Sequence, residues 1–292
     1  MSSLNVLPSI RDIMEIVRDE ECSIKFLLDH GAFYIYENCP ICGGSMTLRK
    51  KQFRCTRDGC RRSISILSHS FFANSRLAVH DCLLLGYLWL VGASVSTALS
   101  MTKHSKPTVV DYFGYFRQLV TSSLNLEDTV IGGENIIVEV DESKFGKRKN
   151  NRGSHREGAW VIGGIEQTNE RKFFMEVVDK RDAETIVDVL SRHIAAGSIV
   201  HTDCWRGYIG IDSKLSVSHF TVNHSVGFVN QENGINTNSI EGKWAALKRR
   251  ITLRGRVQDK LGMYLFEQIW RFKNKDVLWD SFLDAIKDVY YK

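Results

Sequence analysis

The spacing of apolar and polar positions divides the chain into a helical first part and a later part in which strands and helices alternate. Residues 9–30 carry apolar side chains at the spacing of one or two short amphipathic helices. Residues 79–91 are strongly apolar and predict a buried helix. Residues 94–101 and 106–120 predict a short helix and a longer one, joined by a tight turn.

The last two of these helices have the pattern of a helix-turn-helix, whose second helix enters the major groove of DNA. Ser105 is a good N-cap for the longer helix, and Pro107 fits its first turn. That helix carries only two cations, Lys106 and Arg117. A helical linker without DNA contacts is therefore the alternative interpretation. Residues 121–133 form the predicted boundary with the next domain.

The later part of the chain predicts five strands and three helices. The strands are expected at residues 135–141, 159–165, 172–178, 198–203 and 218–223, and the helices at 183–194, 205–211 and from 238 onward. Short polar turns favour antiparallel pairing of the second and third strands. The order of elements is that of the ribonuclease-H-like α/β fold, in which the first and fourth strands are neighbours.

Three acids lie where this fold would bring them to a common point. Asp141 ends the first strand, Asp203 ends the fourth, and Glu241 lies in the first turn of the last helix. Alternation along the first strand places Glu139 on the same face as Asp141 and turns Glu142 away. Glu139 either supports the metal-binding acids from outside the site or is a buried or edge acid of the strand without a role in the site. Three converging carboxylates are what two divalent metal ions need for phosphodiester chemistry.

The helix that carries Glu241 has a buried stripe and a polar flank. The stripe is formed by four apolar residues at helical spacing, Ile240, Trp244, Leu247 and Ile251. Glu241 and Lys248 share the flank, where Lys248 would contact a DNA phosphate. Asn238 as N-cap would instead make Glu241 part of a capping box, which is the structural alternative to a catalytic role.

Four of the seven cysteines have the spacing of a structural zinc site. Cys39 and Cys42 form a CxxC pair followed by two glycines, and Cys55 and Cys60 form a second pair with a gap of four residues. Residues 46–49 and 52–54 predict two short strands between the pairs. The pattern indicates a zinc ribbon with four cysteine ligands.

The net charge of +5 is concentrated in three basic runs near these candidate sites. Residues 49–62 contain seven Lys or Arg against one acid, residues 144–156 contain six and no acid, and residues 248–256 contain five and no acid. Such runs favour contact with nucleic-acid phosphates over a merely solvated surface. The candidate DNA-binding residues are Lys147, Arg148, Lys149, Arg152, Lys248, Arg249 and Arg250.

Composition favours a folded protein without a membrane-spanning segment. Hydrophobic residues make up 43% of the 292 residues, and only three are proline, which favours a folded chain. The most apolar run, residues 82–93, is shorter than the ~20 residues that span a bilayer. We therefore expect a soluble intracellular protein with reduced cysteines. His201, Asn223 and His224 are further candidates near the acids.

Several of these segments together resemble the DDE transposases of Merlin-type elements and the related bacterial ISXO-two-like insertion-sequence transposases. The shared motifs are Val138-Glu-Val-Asp-Glu-Ser-Lys-Phe-Gly146, Gly158-Ala-Trp-Val-Ile-Gly-Gly164, His201-Thr-Asp-Cys-Trp-Arg-Gly-Tyr208, Val222-Asn-His224 and Thr237-Asn-Ser-Ile-Glu-Gly-Lys-Trp244. The resemblance is most specific from residue 134 to about 273. Asn236 departs from it, since relatives often have histidine there.

The resemblance implies a cut-and-paste DNA transposase. Asp141, Asp203 and Glu241 would hold Mg²⁺ or Mn²⁺ for cleavage of transposon ends and joining of the 3′-hydroxyls to target DNA, with Lys248 as the trailing basic residue. The DNA partners would be the terminal inverted repeats and the target, bound by a homodimer or larger assembly. The alternatives are a domesticated DNA-binding protein and a ribonuclease-H-like nuclease that does not join strands.

The predicted organisation has five segments. N-terminal helices at 1–36 precede a zinc ribbon at 37–70, and a helical region that resembles a helix-turn-helix follows at 76–125. A ribonuclease-H-like catalytic domain is expected at 134–273 and a C-terminal helix at 274–292. The protein would work in the nucleus of a eukaryotic host or in the cytoplasm and nucleoid of a bacterial one.

Overall fold

The structure is a computed structural model that describes residues 7–146, 158–222 and 236–288. The chain forms two compact units. One unit comprises Met1–Ser123 together with Asn274–Lys292, and the other comprises Leu124–Lys273. Within the described ranges, no helix has both the length and the apolar composition to cross a membrane.

The first unit contains a small antiparallel sheet and six helices among its described residues. The strands, in the order β1-β2-β3, are β1 Met46–Arg49, β2 Gln52–Cys55 and β3 Ser63–Ser65. The helices are α1 Ile10–Ile16, α2 Glu20–Asp29, α3 Val79–Leu90, α4 Val95–Thr102, α5 Lys106–Ser122 and, after the second unit, α10 Leu278–Lys287. This arrangement confirms the predicted helices and both predicted ribbon strands, while β3 was not predicted.

Aromatic packing joins α10 to the helices of the first third of the chain. The Phe282 ring lies edge-on to Phe116 of α5, with centroids 5.5 Å apart. Gly86 of α3 makes room for the same ring, since a Cβ there would lie 2.8 Å from Phe282. The Ser105 hydroxyl accepts from the Thr108 N–H at the start of α5, which confirms the predicted N-cap.

The second unit is built on a five-stranded sheet of order β10-β9-β5-β6-β7. These strands are β5 Ile137–Phe145, β6 Ala159–Glu166, β7 Phe173–Val178, β9 Ile199–Asp203 and β10 Ser218–Val222. The first three pair antiparallel, whereas β9 is parallel to β5 and β10 is parallel to β9. A short parallel pair, β4 Ile131–Gly132 with β8 Ile194–Ala195, lies outside this sheet.

Helices cover both faces of the five-stranded sheet. The helices of this unit are α6 Ala183–His193, α7 Ile211–Lys214, α8 Asn238–Arg250 and α9 Gln258–Lys273. Val138 and Val140 pack with α6 in one apolar core, while Val161 and Phe173 pack with α8 and α9 in a second core. The unit is therefore a three-layer α/β structure.

Two predicted elements differ from the observed ones. The first strand of the core runs on to Phe145 rather than ending at Asp141, because residues 138–145 all pair with β6. Residues 205–211 do not form one helix. A single 3-10 turn at Arg206–Tyr208 is followed by Gly210 with φ +77°, and α7 begins only at Ile211. The left-handed glycine interrupts the helix.

Candidate active site and cysteine centre

The four predicted cysteine ligands come together in the first unit. Their sulfur atoms all lie within 4.8 Å of one another, with 3.7 Å between Cys39 and Cys60 and 3.5 Å between Cys42 and Cys55. Tetrahedral zinc with Zn–S bonds of about 2.3 Å would place its sulfur ligands about 3.8 Å apart. The cluster could therefore hold a zinc ion.

Gly44 explains why glycine follows the CxxC pair. Its N–H lies 3.4 Å from the Cys42 sulfur, and a Cβ there would come within 2.8 Å of the Arg57 Cβ. The Gly44 N–H, followed by the Cys60 thiol, lowers the pKa of Cys42 to about 6. A thiol that ionises easily is suited to metal binding, because the thiolate is the ligand.

Two of the three predicted acids lie on neighbouring parallel strands of the second unit, Asp141 within β5 and Asp203 at the end of β9. Strands β5 and β9 pair in parallel up to Glu139 opposite His201, and each acid lies two residues beyond this pair on its own strand. One oxygen of Asp203 accepts from the Trp205 N–H at 2.8 Å. Asp141 accepts from the Trp244 indole N–H at 3.0 Å. Each carboxylate is therefore oriented by a hydrogen bond.

Glu241 lies on α8, three residues before Trp244, and its side chain is exposed. The predicted buried stripe of this helix is confirmed, since all four of its members are at most 4% exposed: Ile240, Trp244, Leu247 and Ile251. Among the described residues, the cysteines form the one group of potential ligands that all lie within 4.8 Å of one another. The carboxylates of Asp141, Asp203 and Glu241 are not drawn together to that extent.

The N-terminus of α8 is bound by Glu139 rather than by its own side chains. The helix starts at Asn238, its N-cap is Thr237, and no side-chain hydrogen bond caps it. One Glu139 oxygen accepts from the N–H groups of Ser239 and Ile240, at 2.7 and 3.0 Å. The capping-box alternative for Glu241 is therefore wrong.

Gly163 makes room for the indole that orients Asp141. It pairs with Asp141 across β5 and β6, and a Cβ at this position would lie 2.7 Å from the Trp244 ring and 3.0 Å from the Phe174 carbonyl oxygen. Trp244 is 4% exposed and fills the space above this glycine. The glycine in the strand is thus a packing requirement of the site.

Lys248 lies beside Asp141, on the flank that the sequence predicted. Its ammonium group donates to the Ser143 hydroxyl at 2.6 Å and lies 5.3 Å from the centroid of the Phe145 ring. Burial lowers the pKa of Lys248, while the negative charge of Asp141 opposes that shift. The cation is therefore held within the electrostatic reach of the acids.

Glu142 faces the opposite side of the sheet, as predicted. Its carboxylate accepts from the Arg181 guanidinium at 2.8 Å and from the Tyr208 hydroxyl at 2.7 Å. Arg181 also lies over the rings of Trp160 and Trp205, at 4.4 and 4.7 Å from their centroids. This cation fixes Glu142 away from the Asp141 face.

Asp141 carries the least compensated charge of the three acids on β5. Burial, then the charge of Glu142 and, less strongly, that of Asp203 raise the pKa of Asp141 to about 7. Within the described part of the chain, Asp141 forms no ion pair, whereas Glu142 is paired with Arg181. A bound cation would relieve this excess of negative charge.

The remaining candidates fall into two groups. Lys147, Arg148, Lys149, Arg152, Asn223 and His224 lie outside the described residues. His201 is 5% exposed, beside the Asn236 backbone, and burial lowers its pKa. Arg249 and Arg250 are exposed, and Arg250 donates to Gln268 of α9 at 3.1 Å.

The unit that carries the acids matches a known family. A family model described as an ISXO2-like transposase domain matches residues 125–273, which is the second unit to within one residue. The chain belongs to the ISXO2-like transposase family. This transposase is also 32% identical over 107 residues to an uncharacterized transposase-like protein of Haemophilus influenzae, and the aligned part covers 36% of this chain and 85% of that relative.

Zinc content tests the cysteine centre of the transposase. We expect about one zinc per chain, measured by elemental analysis of the purified protein. Cys42→Ala should lose most of that zinc and lower the thermal stability of the first unit. Cys204→Ala is the control, because Cys204 is exposed and lies outside the cluster. Full zinc content in the Cys42 variant would contradict the assignment.

Gly163→Ala tests the packing beneath Trp244. The added Cβ would overlap the indole and a backbone oxygen, so we expect a loss of about 1–3 kcal/mol in the free energy of unfolding in urea. Gly242→Ala on α8 is the control, since a Cβ there meets nothing within 4 Å. That change should be neutral or stabilise by up to about 1 kcal/mol. Equal stability of the two variants would argue against the packing role.

Proposed function

We propose that the Leu124–Lys273 unit is a ribonuclease-H-like DDE catalytic core that cuts transposon ends and joins them to target DNA. The strand order supports this proposal, since three antiparallel strands are followed by two parallel ones beside the first strand. The observation that carries it is the parallel pairing of β5 with β9, in which Asp141 and Asp203 each lie two residues beyond the paired Glu139 and His201.

The side chains present fit a divalent metal site. Oxygen donors from Asp141, Asp203 and Glu241 are the ligands that Mg²⁺ and Mn²⁺ prefer. Burial, followed by the negative charges of Glu142 and Asp203, raises the pKa of Asp141, and a bound cation would relieve this excess of negative charge. When bound there, the metal ions would stabilise negative charge on the oxygens of the reacting phosphodiester.

The residues around the acids supply orientation and DNA contact. The Trp244 indole N–H binds one oxygen of Asp141 and so orients this carboxylate. Lys248 would neutralise a phosphate beside the acids, since a Lys ammonium is a compact charge with three donors. Arg249 and Arg250 would extend this contact along the DNA, and the basic segment 147–152 would add to it.

The first unit would recognise the DNA ends. Its ribbon carries a run of basic residues on and between the two strands β1 and β2, and α4 and α5 follow one another as in a helix-turn-helix. Cutting two ends and joining them to one target requires at least two active sites. We therefore expect a homodimer or a larger complex on DNA.

A strand-transfer assay tests the proposal. The substrate is a linear duplex that ends in the inverted repeats flanking the gene, with a supercoiled plasmid as target and Mg²⁺ or Mn²⁺ in the buffer. Asp203→Asn removes a proposed metal ligand, so we expect its strand-transfer activity to fall by more than about 100-fold. Removal of a residue that only hydrogen-bonds to a metal ligand typically costs roughly 10–100-fold. Asp212→Asn, an exposed acid on α7, is the matched control and should keep its activity.

The products separate the competing functions. Joined plasmid products that disappear in the Asp203 variant support transposition. Cleaved but unjoined ends would instead indicate a nuclease. Specific binding without metal-dependent cleavage would indicate a domesticated DNA-binding protein. Equal activity of the wild type and the Asp203 variant would overturn the carboxylate mechanism.

A further inference from the structure

The N-cap residue of helix α8 provides no side-chain hydrogen bond, although the helix carries one of the three proposed acids. The first N–H groups of any helix have no partner within the helix and need one elsewhere. Thr237 precedes the helix with φ −125° and ψ 25° and provides no side-chain cap. The Glu241 N–H bonds to the Thr237 carbonyl, and the Asn238 N–H bonds to the Asn236 side-chain oxygen at 3.3 Å. The N–H groups that still need an acceptor are those of Ser239 and Ile240.

Glu139 on β5 supplies the missing acceptor from the sheet. Its Oε2 accepts from Ser239 and Ile240, and its Oε1 accepts from the Gln167 side-chain amide at 2.7 Å. The side chain is 0% exposed. A buried carboxylate is costly unless such donors surround it, and a negative charge at a helix N-terminus is favourable. With both oxygens accepting hydrogen bonds from protein N–H donors, Glu139 is suited to anchor α8 rather than to bind metal.

The anchor lies between two parts of the proposed site. Glu139 and Asp141 are two residues apart on the same face of β5, about 7 Å along the strand. Ile240, which Glu139 holds, directly precedes Glu241. Asp141 and Glu241 are therefore connected through two residues of β5 and one charge-assisted hydrogen bond, from the Ile240 N–H to the Glu139 carboxylate.

We propose that Glu139 is a positioning residue that sets the distance of Glu241 from Asp141 and Asp203. This inference rests on the proposed function, because it takes those three acids as the metal ligands. In this role Glu139 acts through α8 and not by contact with DNA or the reacting atoms. Its role is to fix the start of α8 against the sheet, and with it the position of Glu241 on the helix.

The opposite end of α8 is held in a complementary way. The Arg256 guanidinium donates to the Ile251 carbonyl at 2.9 Å and to the Lys248 carbonyl. A cation at a helix C-terminus is favourable for the same reason that an anion is at its N-terminus. The helix is thus fixed at both ends, and release of the Glu139 end should displace Glu241 in particular.

Glu166 offers a matched control for removal of a buried carboxylate. It lies opposite Val138 on β6, is 4% exposed, and also binds a backbone N–H, that of Gly132, at 2.8 Å. Its other oxygen accepts from the Thr168 hydroxyl. Glu139→Gln and Glu166→Gln therefore remove the same charge from neighbouring strands, but only the first removes it from the N-terminus of α8.

The decisive measurement is Mn²⁺ affinity, followed by the electron paramagnetic resonance signal of free Mn²⁺, with thermal stability recorded in parallel. Glu139→Gln should weaken Mn²⁺ binding by roughly 10–100-fold, as loss of an outer partner of metal ligands does. Glu166→Gln should lower thermal stability and leave Mn²⁺ affinity as in the wild type. Excess Mn²⁺ should restore strand transfer in the Glu139 variant.

The outcomes distinguish this inference from the proposed function. If the wild type has no Mn²⁺ site that Asp141→Asn removes, the proposed function fails. If that site exists and Glu139→Gln binds Mn²⁺ as tightly as the wild type, the positioning role is overturned. Should Glu139→Gln not fold, Gln167→Leu removes one donor from Glu139 and should weaken Mn²⁺ binding several-fold. Wild-type affinity in that variant would then overturn the inference.

Discussion

The fixing of α8 against the central sheet is the constraint on which the rest of the site depends. The helix carries Glu241 on one flank and Lys248 two turns later, and its buried stripe covers one face of the sheet. Apolar packing alone would allow such a helix to slide or rotate, because it is not directional. The charged groups Glu139 and Arg256 bind its two ends by hydrogen bonds and so define its position.

The three acids of β5 show how neighbouring carboxylates acquire different roles from their surroundings. Glu139 is satisfied by N–H donors of α8 and by Gln167, and Glu142 by a guanidinium and a phenol on the other face. Asp141 receives an indole N–H and keeps a raised pKa. Asp141, whose pKa is raised, is the acid at the proposed metal site. The two carboxylates on β5 that are bound by nearby donors differ in their surroundings from Asp141, the acid proposed to bind metal.

Local patterns were sufficient to predict much of the structure. Ser105 was identified as an N-cap from the residues around it, and the cysteine pairs from their spacing. The neighbouring positions of Asp141 and Asp203 followed from the order of strands and helices, because that order restricts which strands can pair. The buried stripe of α8 followed from helical periodicity.

The interactions that were missed join residues far apart in the chain. Glu139 and Ser239 are 100 residues apart, and nothing near Asn238 shows that its helix is capped from the sheet. The requirement for glycine at position 163 arises from Trp244, which packs on it from α8. Likewise, no local pattern shows that α10 packs with α3 and α5 rather than continuing the second unit.

The most direct test of the account is the location of bound Mn²⁺ by anomalous X-ray scattering from crystals grown with the ion. The account predicts Mn²⁺ at the carboxylates of Asp141 and Asp203, with Glu241 turned toward it and Glu139 still bound to the N–H groups of α8. Mn²⁺ held by Glu139 or Glu142 instead, or a site without Glu241, would contradict it.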